Sequence, residues 1–530
     1  MESSPAVTAG LADGAVVVIG FMGAGKTTLA SGAAAAQGLR HVDTDALLEE
    51  RLGRPIAEVF ATDGEARFRE EEERLVAEVL DRAGPGDVVS LGGGAVLSPV
   101  VQAALDRHVV VLAEIDAGTA WHRAAGAGTR PLAEDRGAFE ERLCDRTPLY
   151  DALADVFLMA TDRGGLERAA PLIAALRAAP AGTRGIWARP GGREHPVLVG
   201  RGVLGTDRTP LIGGRSFLVT DTAVAEHHGV PGLSGAVEIA PGEEHKTLRT
   251  AELVWRALAE QGVTRTDHLV AVGGGVVGDL AGFCAACYQR GIPVVQCPTT
   301  VVAQVDSAYG GKTGVDLPEA KNYVGAYHQP AAVLVDPATL ATLPAAELAA
   351  GYAEVVKTAL IAGGALWERV AGGAPVDDDV VLACARTKLA VVAADERDGG
   401  RRQVLNLGHT VGHALETVTG YARLRHGEAV GLGLLAALRL SGQGALRDEV
   451  EALLAAAGLP TSIDGVDAEA VVRATARDKK RVGEGPTPFV LVRAPGDVVH
   501  GQDVGAADVL AAVRELSHTS APASGTDHAR

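Results

Sequence analysis

The sequence predicts an α/β protein whose C-terminal part is mainly α-helical, and three features predict this fold class. Between residues 15 and 178, short runs rich in Val, Ile and Leu alternate with amphipathic helical stretches, which is typical of a parallel sheet flanked by helices. The same alternation returns between residues 195 and 342. Beyond residue 343 strand-like runs become rare, and long stretches rich in Ala, Leu and Glu predict helices to about residue 516.

The chain has 530 residues, which is enough for about three or four domains. The segment 179–194 is rich in Gly, Pro and Arg and lacks periodicity, so we predict a linker there. The polar residues 517–530 predict a disordered tail. The domains predicted between these segments are 1–178, 195–342 and 343–516.

Composition and charge exclude several classes of partner. Hydrophobic residues make up 47% of the chain, enough for sizeable cores, and the net charge of −18 argues against a general binder of nucleic acid or anionic membranes. No apolar run is long enough for a membrane span, and the N-terminus lacks a signal pattern. Five cysteines form no dense framework, so we expect reduced thiols in a cytoplasm, and we interpret Cys284-x-x-Cys287 as packing.

Lysine is unusually rare in this chain. Lys and Arg together number 49, yet only eight of them are Lys. Because an ammonium is compact and rotatable whereas a guanidinium is a planar fork, we expect Lys to persist where anions are bound.

The first chemical motif lies between a predicted strand at 15–19 and a predicted helix at 27–37. Gly20-x-x-x-x-Gly25-Lys26-Thr27 matches the P-loop pattern in the strand-to-helix context that this pattern requires. Its glycines let backbone N–H groups surround phosphates, Lys26 neutralises the outer phosphates, and the Thr27 hydroxyl can bind Mg²⁺. The motif therefore predicts a nucleotide site.

Residues downstream of the P-loop predict an acidic acceptor. Asp43 and Asp45 offer one carboxylate for the water shell of the metal and one for a substrate hydroxyl. Arg69 lies in a predicted acidic helix over 64–82, and Arg146 follows later. Two arginines could hold a substrate carboxylate by paired hydrogen bonds.

With these motifs, the segment from about 15 to 178 resembles shikimate kinases over essentially their whole length. The resemblance implies a P-loop kinase domain in which Asp45 is the base or orienter of the attacked hydroxyl and Lys26 acts on the phosphates. It places shikimate against Asp45, Arg69, Gly93 and Arg146. It assigns ATP to Gly23, Ala24, Gly25, Lys26, Thr27 and Thr28, Mg²⁺ to Thr27 with Asp43 behind it through water, and Arg130 to a lid over the nucleotide.

The second half contains a glycine motif at the end of a predicted strand over 268–272. Val272-Gly-Gly-Gly-Val-Val-Gly-Asp279 opens a helical stretch, which by glycine spacing alone is a weak indication of a dinucleotide. Further strands are predicted at 217–220 and 294–297. Polar motifs on both sides of the glycine motif, such as Pro241 to Lys246 and Asp306 to Thr313, strengthen the prediction of a dinucleotide site.

The helical part offers candidate metal ligands. Glu354 and Lys357 are three residues apart and share a helix face. His409 and His413 are an i, i+4 pair, which can bind metal or simply cap and pack, and His426 follows. A glutamate and two histidines are plausible ligands of a Zn²⁺ that keeps open positions for substrate.

In this order, the motifs of residues 195–515 look like those of 3-dehydroquinate synthases. The resemblance implies Zn²⁺ or Co²⁺ on Glu354, His409 and His426, with His413 near the leaving phosphate. It assigns NAD to Asp221, Glu243, Lys246, Gly274, Gly275, Asp279, Thr299, Thr300, Lys312, Lys321 and Thr342. It assigns the heptulosonate phosphate to Asp306, Lys312, Lys321, Asn322, Lys357, Lys388, Arg402, Asn406 and Lys479 or Lys480. The catalytic candidates of this half are Asp306, Lys312, Lys357, Lys388, Arg402, Asn406 and His413. Arg290 before Gly291 matches an arginine that reaches the neighbouring subunit, so the resemblance implies a homodimer.

The implied reaction is a transient oxidation of one alcohol by NAD⁺, elimination of phosphate and closure of a carbocycle without net redox change. Asp316 stands where that family usually has Asn, and Cys284, Cys287 and Gln289 replace small or thioether residues near Arg290. The whole chain is thus predicted to combine a P-loop kinase domain, an α/β dinucleotide-binding domain and a mainly α-helical metal-binding domain.

Two alternatives keep these folds and change the function. The second half could be another sugar phosphate cyclase or a metal- and NAD-dependent polyol dehydrogenase. The chain could also be a non-catalytic nucleotide sensor in which one half regulates the other, although each half holds a complete set of chemical groups.

Overall fold

The computed structural model describes residues 13–126, 135–476 and 488–517. Three residues that the sequence assigns to nucleotide or substrate contacts lie outside the described residues, namely Arg130, Lys479 and Lys480. Residues 518–530, which make up most of the predicted tail, also lie outside them.

The described residues of the N-terminal half alternate strands and helices up to the end of the kinase-like segment. The elements are β1 (Val16–Ile19), α1 (Lys26–Gln37), β2 (Arg40–Asp43), α2 (Thr44–Leu52), α3 (Ile56–Arg82), β3 (Asp87–Ser90), α4 (Pro99–Leu105), β4 (Val109–Ala113), α5 (Ala117–Gly126), α6 (Arg136–Leu153), β5 (Val156–Leu158), α7 (Gly165–Arg168), α8 (Ala170–Ala178) and β6 (Arg184–Ala188).

The alternation continues through the middle of the chain and then gives way to helices. The elements are β7 (His195–Val199), β8 (Ser216–Asp221), α9 (Thr222–Ala225), β9 (Leu233–Ile239), α10 (Leu248–Glu260), β10 (His268–Gly273), α11 (Gly275–Cys287), β11 (Val294–Pro298), α12 (Val301–Val305), β12 (Lys312–Leu317), β13 (Ala320–Tyr327), β14 (Ala332–Val335), α13 (Ala345–Ala362), α14 (Gly364–Ala371), α15 (Asp378–Ala394), α16 (His409–Val418), α17 (His426–Leu440), α18 (Gly444–Ala456), α19 (Ala468–Thr475), β15 (Phe489–Ala494), β16 (Asp497–Gln502) and α20 (Ala506–Glu515).

One twelve-stranded sheet runs through both halves, in the order β2-β3-β1-β4-β5-β6-β7-β14-β11-β10-β8-β9. Its strand pairs are parallel except for β6 with β7, where Ile186 lies opposite Val197. The central strands read as continuous apolar runs because helices cover both faces. The predicted α/β class with parallel sheets is therefore confirmed, and the antiparallel β6–β7 pair joins the two sheets edge to edge.

The prediction of a linker over 179–194 is wrong for its middle. Residues 184–188 form β6, which pairs in parallel with β5 and buries Ile186 and Trp187. The surrounding glycines, prolines and arginines hide this five-residue strand, because backbone pairing with β5 and β7 stabilises it and no long apolar pattern is needed.

The predicted helix over 64–82 begins at a real interruption. The structure has helical residues from Ile56 to Arg82, but Gly64 adopts φ 82° and ψ 166° and so breaks the run into two helices. The second of these helices carries Arg69, which places that side chain beside the sheet.

The helical part packs closely around α17. Added Cβ atoms at Gly427 and Gly433 would overlap the carbonyl oxygens of Ala350 on α13 and of Gly408, just before α16. These glycines allow the three helices to approach closely, and the first residues of α16 and α17 are His409 and His426. Among the described residues no helix combines the length and the apolar character that crossing a membrane would require.

Candidate active sites

The P-loop connects the end of β1 to α1 in the geometry that a phosphate cradle needs. Gly20, Gly23 and Gly25 have φ values of 141°, 86° and 84°, and a Cβ on Gly23 would lie 2.7 Å from the Ala120 carbonyl oxygen. The Lys26 ammonium turns back over the loop and donates to the Gly20 carbonyl oxygen at 2.9 Å. The loop thus presents backbone N–H groups and one ammonium to the same space.

Asp43 links this loop to the next strand. Its Oδ2 accepts hydrogen bonds from the hydroxyls of Thr27 at 2.8 Å and Ser90 at 3.0 Å. Its Oδ1 caps α2 by accepting from the backbone N–H of Asp45 at 3.0 Å. A hydroxyl and a carboxylate in contact, beside a phosphate cradle, are oxygen donors suited to Mg²⁺ and its water shell.

Asp45 and a glutamate that the sequence analysis missed converge on the glycines after β3. A Cβ on Gly92 would lie 2.5 Å from Asp45 Oδ1 and 2.7 Å from Glu72 Oε1. Glu72 is buried and holds Arg69, with 2.5 Å between Arg69 Nη1 and Glu72 Oε2. Burial raises the pKa of Glu72 above its ordinary value, although Arg69 opposes this. The i, i+3 spacing of Arg69 and Glu72 on one helix was the signal that could have found Glu72.

Arg146 reaches the same glycines from α6. Its Nη1 lies 3.5 Å from the Gly93 carbonyl oxygen, which also accepts from the Tyr150 hydroxyl at 2.6 Å. Burial raises the pKa of Tyr150 to about 12, so the phenol stays protonated and donates. Two arginines, one aspartate and one ammonium therefore gather around the glycines after β3, beside the P-loop, and Tyr150 is a further member.

In the second half, the glycine motif marks the start of α11. Gly274 precedes this helix, and a Cβ there would lie 2.9 Å from Thr300 Cγ2, so the position needs glycine. Thr299 donates its backbone N–H to the Gly273 carbonyl oxygen at 3.0 Å, and Thr300 caps α12. Two helix N-termini, at the carboxyl ends of β10 and β11, meet here, which suits an anionic dinucleotide.

A buried ammonium lies beside this helix. Lys246 Nζ lies 2.6 Å from Asp279 Oδ2 and donates to Asn322 Oδ1 at 2.6 Å. Burial lowers the pKa of Lys246, but the carboxylates of Asp279 and Glu243 outweigh burial and raise it above its ordinary value. Lys321 Nζ lies 3.9 Å from Glu243 Oε1.

Two further predicted NAD residues follow strands of the sheet: Asp221 ends β8, and Thr342 ends a 3₁₀ helix after β14. Asp221 caps α9 after β8 by accepting from Val224 N at 2.8 Å. The Thr342 hydroxyl donates to the Thr339 carbonyl oxygen at 3.0 Å and lies 2.7 Å from a His228 ring nitrogen.

A chain of alternating charges leads from this region to the metal-binding candidates. Lys388 Nζ lies 2.6 Å from Asp306 Oδ1, and Lys357 Nζ lies 3.4 Å from the same oxygen and 2.5 Å from Glu354 Oε2. Burial raises the pKa of Asp306, but the two ammonium groups outweigh it and lower the pKa to about 2. Arg402 is buried beside this chain and donates to the Gly310 carbonyl oxygen at 2.8 Å.

Two other predicted substrate residues are less enclosed. Lys312 pairs with Asp398 at 2.6 Å while 52% of its side chain is exposed. Asn406 ends a short 3₁₀ turn that precedes α16.

Glu354, His409 and His426 lie close enough to share one metal ion. Nε2 of His409 is 3.5 Å and Nε2 of His426 is 3.3 Å from the same oxygen, Glu354 Oε1. The Nδ1 of His409 contacts the Leu407 carbonyl oxygen at 3.1 Å, which turns Nε2 towards Glu354. The His413 ring lies 5.2 Å from that of His409. The donor set is one carboxylate and two imidazoles, which suits Zn²⁺ or Co²⁺.

The electrostatics of this cluster favour a cation. Burial lowers the pKa of His426, but Glu354 and Glu416 outweigh it and raise the pKa to about 10. Burial raises the pKa of Glu354, yet Lys357 and His409 hold it well below its usual range. Glu416 is buried and was missed in the sequence, although it lies seven residues after His409 on the same helix.

Of the remaining predicted residues, Cys284, Cys287 and Arg290 lie on or just after α11, and Asp316 borders the Lys246 cluster through Asn322. Arg290 adopts φ 69° in the turn after α11 and is exposed, as is Cys287. Cys284 is buried in the core of this domain. Asp316 accepts from the backbone N–H of Asn322 at 2.7 Å and so shapes the β12–β13 turn.

Comparison with known families matches each half separately. Residues 22–177 match the family model for shikimate kinase. Residues 236–350 and 351–481 match those for the 3-dehydroquinate synthase N-terminal and C-terminal regions. A 3-dehydroquinate synthase of Halorhodospira halophila is 46% identical over 335 residues, which cover 59% of this chain and 94% of that protein.

The chain belongs to the 3-dehydroquinate synthase family. A second member, from Caulobacter vibrioides, is 45% identical over 348 residues, with 59% of this chain and 94% of that protein covered. Because the remaining N-terminal part is matched by the shikimate kinase family, the chain is a fusion of shikimate kinase and 3-dehydroquinate synthase.

Two solved structures share the fold of the 3-dehydroquinate synthase half. The 2-epi-5-epi-valiolone synthase of Streptomyces hygroscopicus, with NAD⁺ and Zn²⁺ bound, is 26% identical with a TM-score of 0.54 and covers 61% of this chain and 96% of its own. A 2-deoxy-scyllo-inosose synthase complexed with carbaglucose-6-phosphate, NAD⁺ and Co²⁺ is 23% identical with a TM-score of 0.54 and covers 63% of this chain and 100% of its own. The second likeness establishes the fold alone.

Proposed function

We propose that this chain is a bifunctional enzyme of the shikimate pathway. Its first half phosphorylates shikimate with ATP, and its second half converts 3-deoxy-D-arabino-heptulosonate 7-phosphate to 3-dehydroquinate with loss of phosphate. The observation that carries the proposal is that each half matches its family and also brings that family's chemical groups together.

In the kinase half, transfer depends on positioning and neutralisation. The P-loop glycines and Lys26 hold the phosphates of ATP, and Thr27 with Asp43 holds Mg²⁺, which neutralises the transferred group. Arg69 and Arg146 bind the shikimate carboxylate, which their approach to Gly93 and Gly94 supports. Asp45 accepts a hydrogen bond from the attacking hydroxyl and directs it at the phosphate. Arg130 is the proposed lid residue.

In the synthase half, bound NAD⁺ supplies a reversible hydride acceptor, and Zn²⁺ or Co²⁺ supplies a Lewis acid for the alcohol that is oxidised. Glu354, His409 and His426 hold the metal. The NAD site is formed by the helix N-termini at Gly274 and Thr300.

The remaining groups of the synthase half bind anions and hold protons in place. Lys357, Lys388 and Arg402 bind the anionic groups of the substrate from the buried side, and Lys312, Lys321 and Asn322 from the open side. His413 hydrogen-bonds the leaving phosphate. Asp306 offsets the repulsion between the Lys357 and Lys388 ammonium groups, which its two ion pairs support.

Arg290 is the proposed contact with a second copy of the chain. It is exposed and held at a positive φ, a conformation with a cost for a residue other than glycine. A homodimer through the synthase half would place this side chain in the partner's substrate site. Lys479 or Lys480 is proposed to contact the substrate within its own subunit.

One experiment separates the candidate functions. The purified chain is supplied with shikimate and MgATP, and separately with the heptulosonate phosphate, NAD⁺ and Zn²⁺, and the products are identified. We expect shikimate 3-phosphate and 3-dehydroquinate with phosphate release. Stoichiometric NADH would instead indicate a polyol dehydrogenase, another carbocycle would indicate a different cyclase, and neither product would indicate a nucleotide sensor.

A further inference from the structure

The imidazole of His426 is held between two glutamates. Its Nε2 is 3.3 Å from Glu354 Oε1, and its Nδ1 is 3.5 Å from Glu416 Oε1. The two nitrogens therefore have different surroundings: one faces the candidate metal ligands and the other faces a carboxylate on α16.

Glu416 is an uncommon residue to find at this depth. It is 4% exposed, and its helix also carries His409 and His413. A buried carboxylate is costly unless it is paired, and among the described residues the ion pair of this one is with His426. The carboxylate therefore points at the imidazole, while the backbone carbonyl of Glu416 accepts separately from Tyr421 N at 2.8 Å.

His409 provides an internal comparison. Its Nε2 faces the same Glu354 oxygen, but its Nδ1 is held by the Leu407 backbone carbonyl at 3.1 Å. Both rings are thus oriented by an acceptor at Nδ1, neutral for His409 and anionic for His426.

We propose that Glu416 is a positioning residue of the metal site. Its carboxylate accepts a hydrogen bond from the Nδ1–H of His426, so that Nε2 faces the ion. This inference rests on the proposed metal role of Glu354, His409 and His426. A carboxylate in this position fixes the tautomer and the ring orientation and makes the imidazole a stronger donor, and losing such a partner typically lowers metal affinity by about 10–100-fold.

A second arrangement makes a different prediction. Ligand atoms of His413, Glu416 and His426 also lie within 4.8 Å of one another, so Glu416 could itself bind a second ion. In that case the chain would bind two metal ions, and removing the carboxylate would reduce the number from two to one. As a positioning residue, Glu416 changes the affinity and leaves one ion bound.

The test compares Glu416→Gln with wild type and with Glu347→Gln. The glutamine is isosteric and retains an oxygen acceptor while losing the charge. Glu347 is an exposed carboxylate on α13, the helix of Glu354, and pairs with Arg425, so its substitution controls for the loss of one negative charge. Zn²⁺ affinity is measured by competition with a chelator, stoichiometry by metal analysis, and integrity of the chain by its shikimate-dependent ATP turnover.

We expect Glu416→Gln to bind one Zn²⁺ with roughly tenfold or greater loss of affinity, with kinase turnover and the Glu347→Gln affinity unchanged. Glu416→Asp keeps the charge but withdraws it from the ring, and we expect it to lose affinity too. Wild-type affinity in Glu416→Gln, or a fall from two ions to one, overturns the positioning role. If the wild type binds no ion whose binding depends on His409, the proposed metal site itself is wrong. A failure of the positioning role alone differs from this, because the wild type then still binds its ion.

Discussion

Lys357 and Lys312 show how differently the few lysines of this chain are used. Lys357 is 1% exposed and lies between Glu354 and Asp306, whereas Lys312 keeps half of its side chain in solvent. Burial lowers the pKa of Lys357, but the two carboxylates outweigh it and raise the pKa above its ordinary value, so the ammonium is permanent. A compact rotatable ammonium suits this buried position between two carboxylates.

We expect Lys357→Arg to lower kcat/KM for cyclisation on the order of 100-fold, because the wider guanidinium displaces Glu354 or Asp306 from preorganised positions. Lys312→Arg should cause a smaller loss, since an exposed arginine can adjust around Asp398. Steady-state phosphate release measures both effects. Wild-type kinetics in both variants would contradict the interpretation of lysines as markers of anion sites.

Asp45→Asn tests the kinase half at the same scale. The amide keeps the size of the side chain beside Gly92 but is a weaker acceptor for the attacking hydroxyl. We expect transfer to shikimate to fall by about 100-fold or more, while ATP affinity, measured by calorimetry, stays within about twofold. Unimpaired phosphorylation would exclude Asp45 as the base or orienter, and cyclisation by the other half serves as the control.

The residues predicted to act on a substrate or metal were easier to find in the sequence than the residues that hold those side chains in place. The P-loop, Glu354 and the histidines stand in recognisable patterns, because a bound ligand demands specific groups at specific spacings. Glu72, Tyr150 and Glu416 form no motif of their own. Their roles depend on which side chain they meet after folding, and a sequence does not contain those distances.

At the scale of elements, the metal cluster depends on how closely α13, α16 and α17 approach. His409 and His426 begin their helices, and Glu354 lies within α13. Gly427, next to His426, leaves no room for a Cβ against the Ala350 carbonyl. The three ligands therefore meet only because small residues line these crossings.

We expect Gly427→Ala to destabilise the chain by about 1–3 kcal/mol, since α17 must move away from α13. The same movement separates His426 from Glu354, so Zn²⁺ affinity should fall together with the free energy of unfolding. Chelator competition and urea denaturation measure the two effects. Gly444→Ala, at the start of α18 where an added Cβ meets no atom within 4 Å, is the control.

The strand β7 contains a second element-scale feature, the buried His195. Within the part of the chain that the structure describes, neither ring nitrogen has a hydrogen-bond partner, and burial lowers the pKa of His195 to about 4. Because this folded-state pKa is below the unfolded value of about 6.5, the unfolded chain binds more protons between these values. Stability from this residue is therefore complete above about pH 6.5 and declines towards pH 4.

We expect His195→Leu to flatten the fall in the free energy of unfolding between pH 6.5 and 4, by up to roughly 3 kcal/mol at the acid end. Urea titrations of wild type and variant at several pH values give the difference. Equal slopes for the two proteins would show that His195 does not titrate within this window.

At the scale of the whole molecule, the two halves share one sheet and, among the described residues, charged contacts at Arg386. Arg386 on α15 lies 2.6 Å from Glu114 and 2.9 Å from Asp151, and its guanidinium carbon is 3.9 Å from the centroid of the Phe157 ring. Lys388, two residues along the same helix, pairs with Asp306 in the proposed synthase site. A cavity of about 400 Å³ lies beside this contact and is lined by both halves.

We expect Arg386→Ala to destabilise the chain by about 3 kcal/mol, since it leaves two carboxylates without their largely buried partner. Thermal unfolding should then separate into two transitions, one for each half. Arg201→Ala, which removes an exposed ion pair with Asp378 on the same helix, should cost less than about 1 kcal/mol. A single unshifted transition in Arg386→Ala would show that the sheet alone holds the halves together.

The sequence by itself determined the two chemistries, the α/β class and the order of the functional parts. Each of these depends on local patterns: a glycine loop between a strand and a helix, apolar runs that alternate with amphipathic stretches, and the pairs Glu354/Lys357 and His409/His413 at helical spacing. Only the tertiary structure decided that residues 184–188 form a strand joining the two sheets, and that Glu416 meets His426. Strand pairing and side-chain contact between distant residues depend on how the elements pack, and no local pattern encodes that packing.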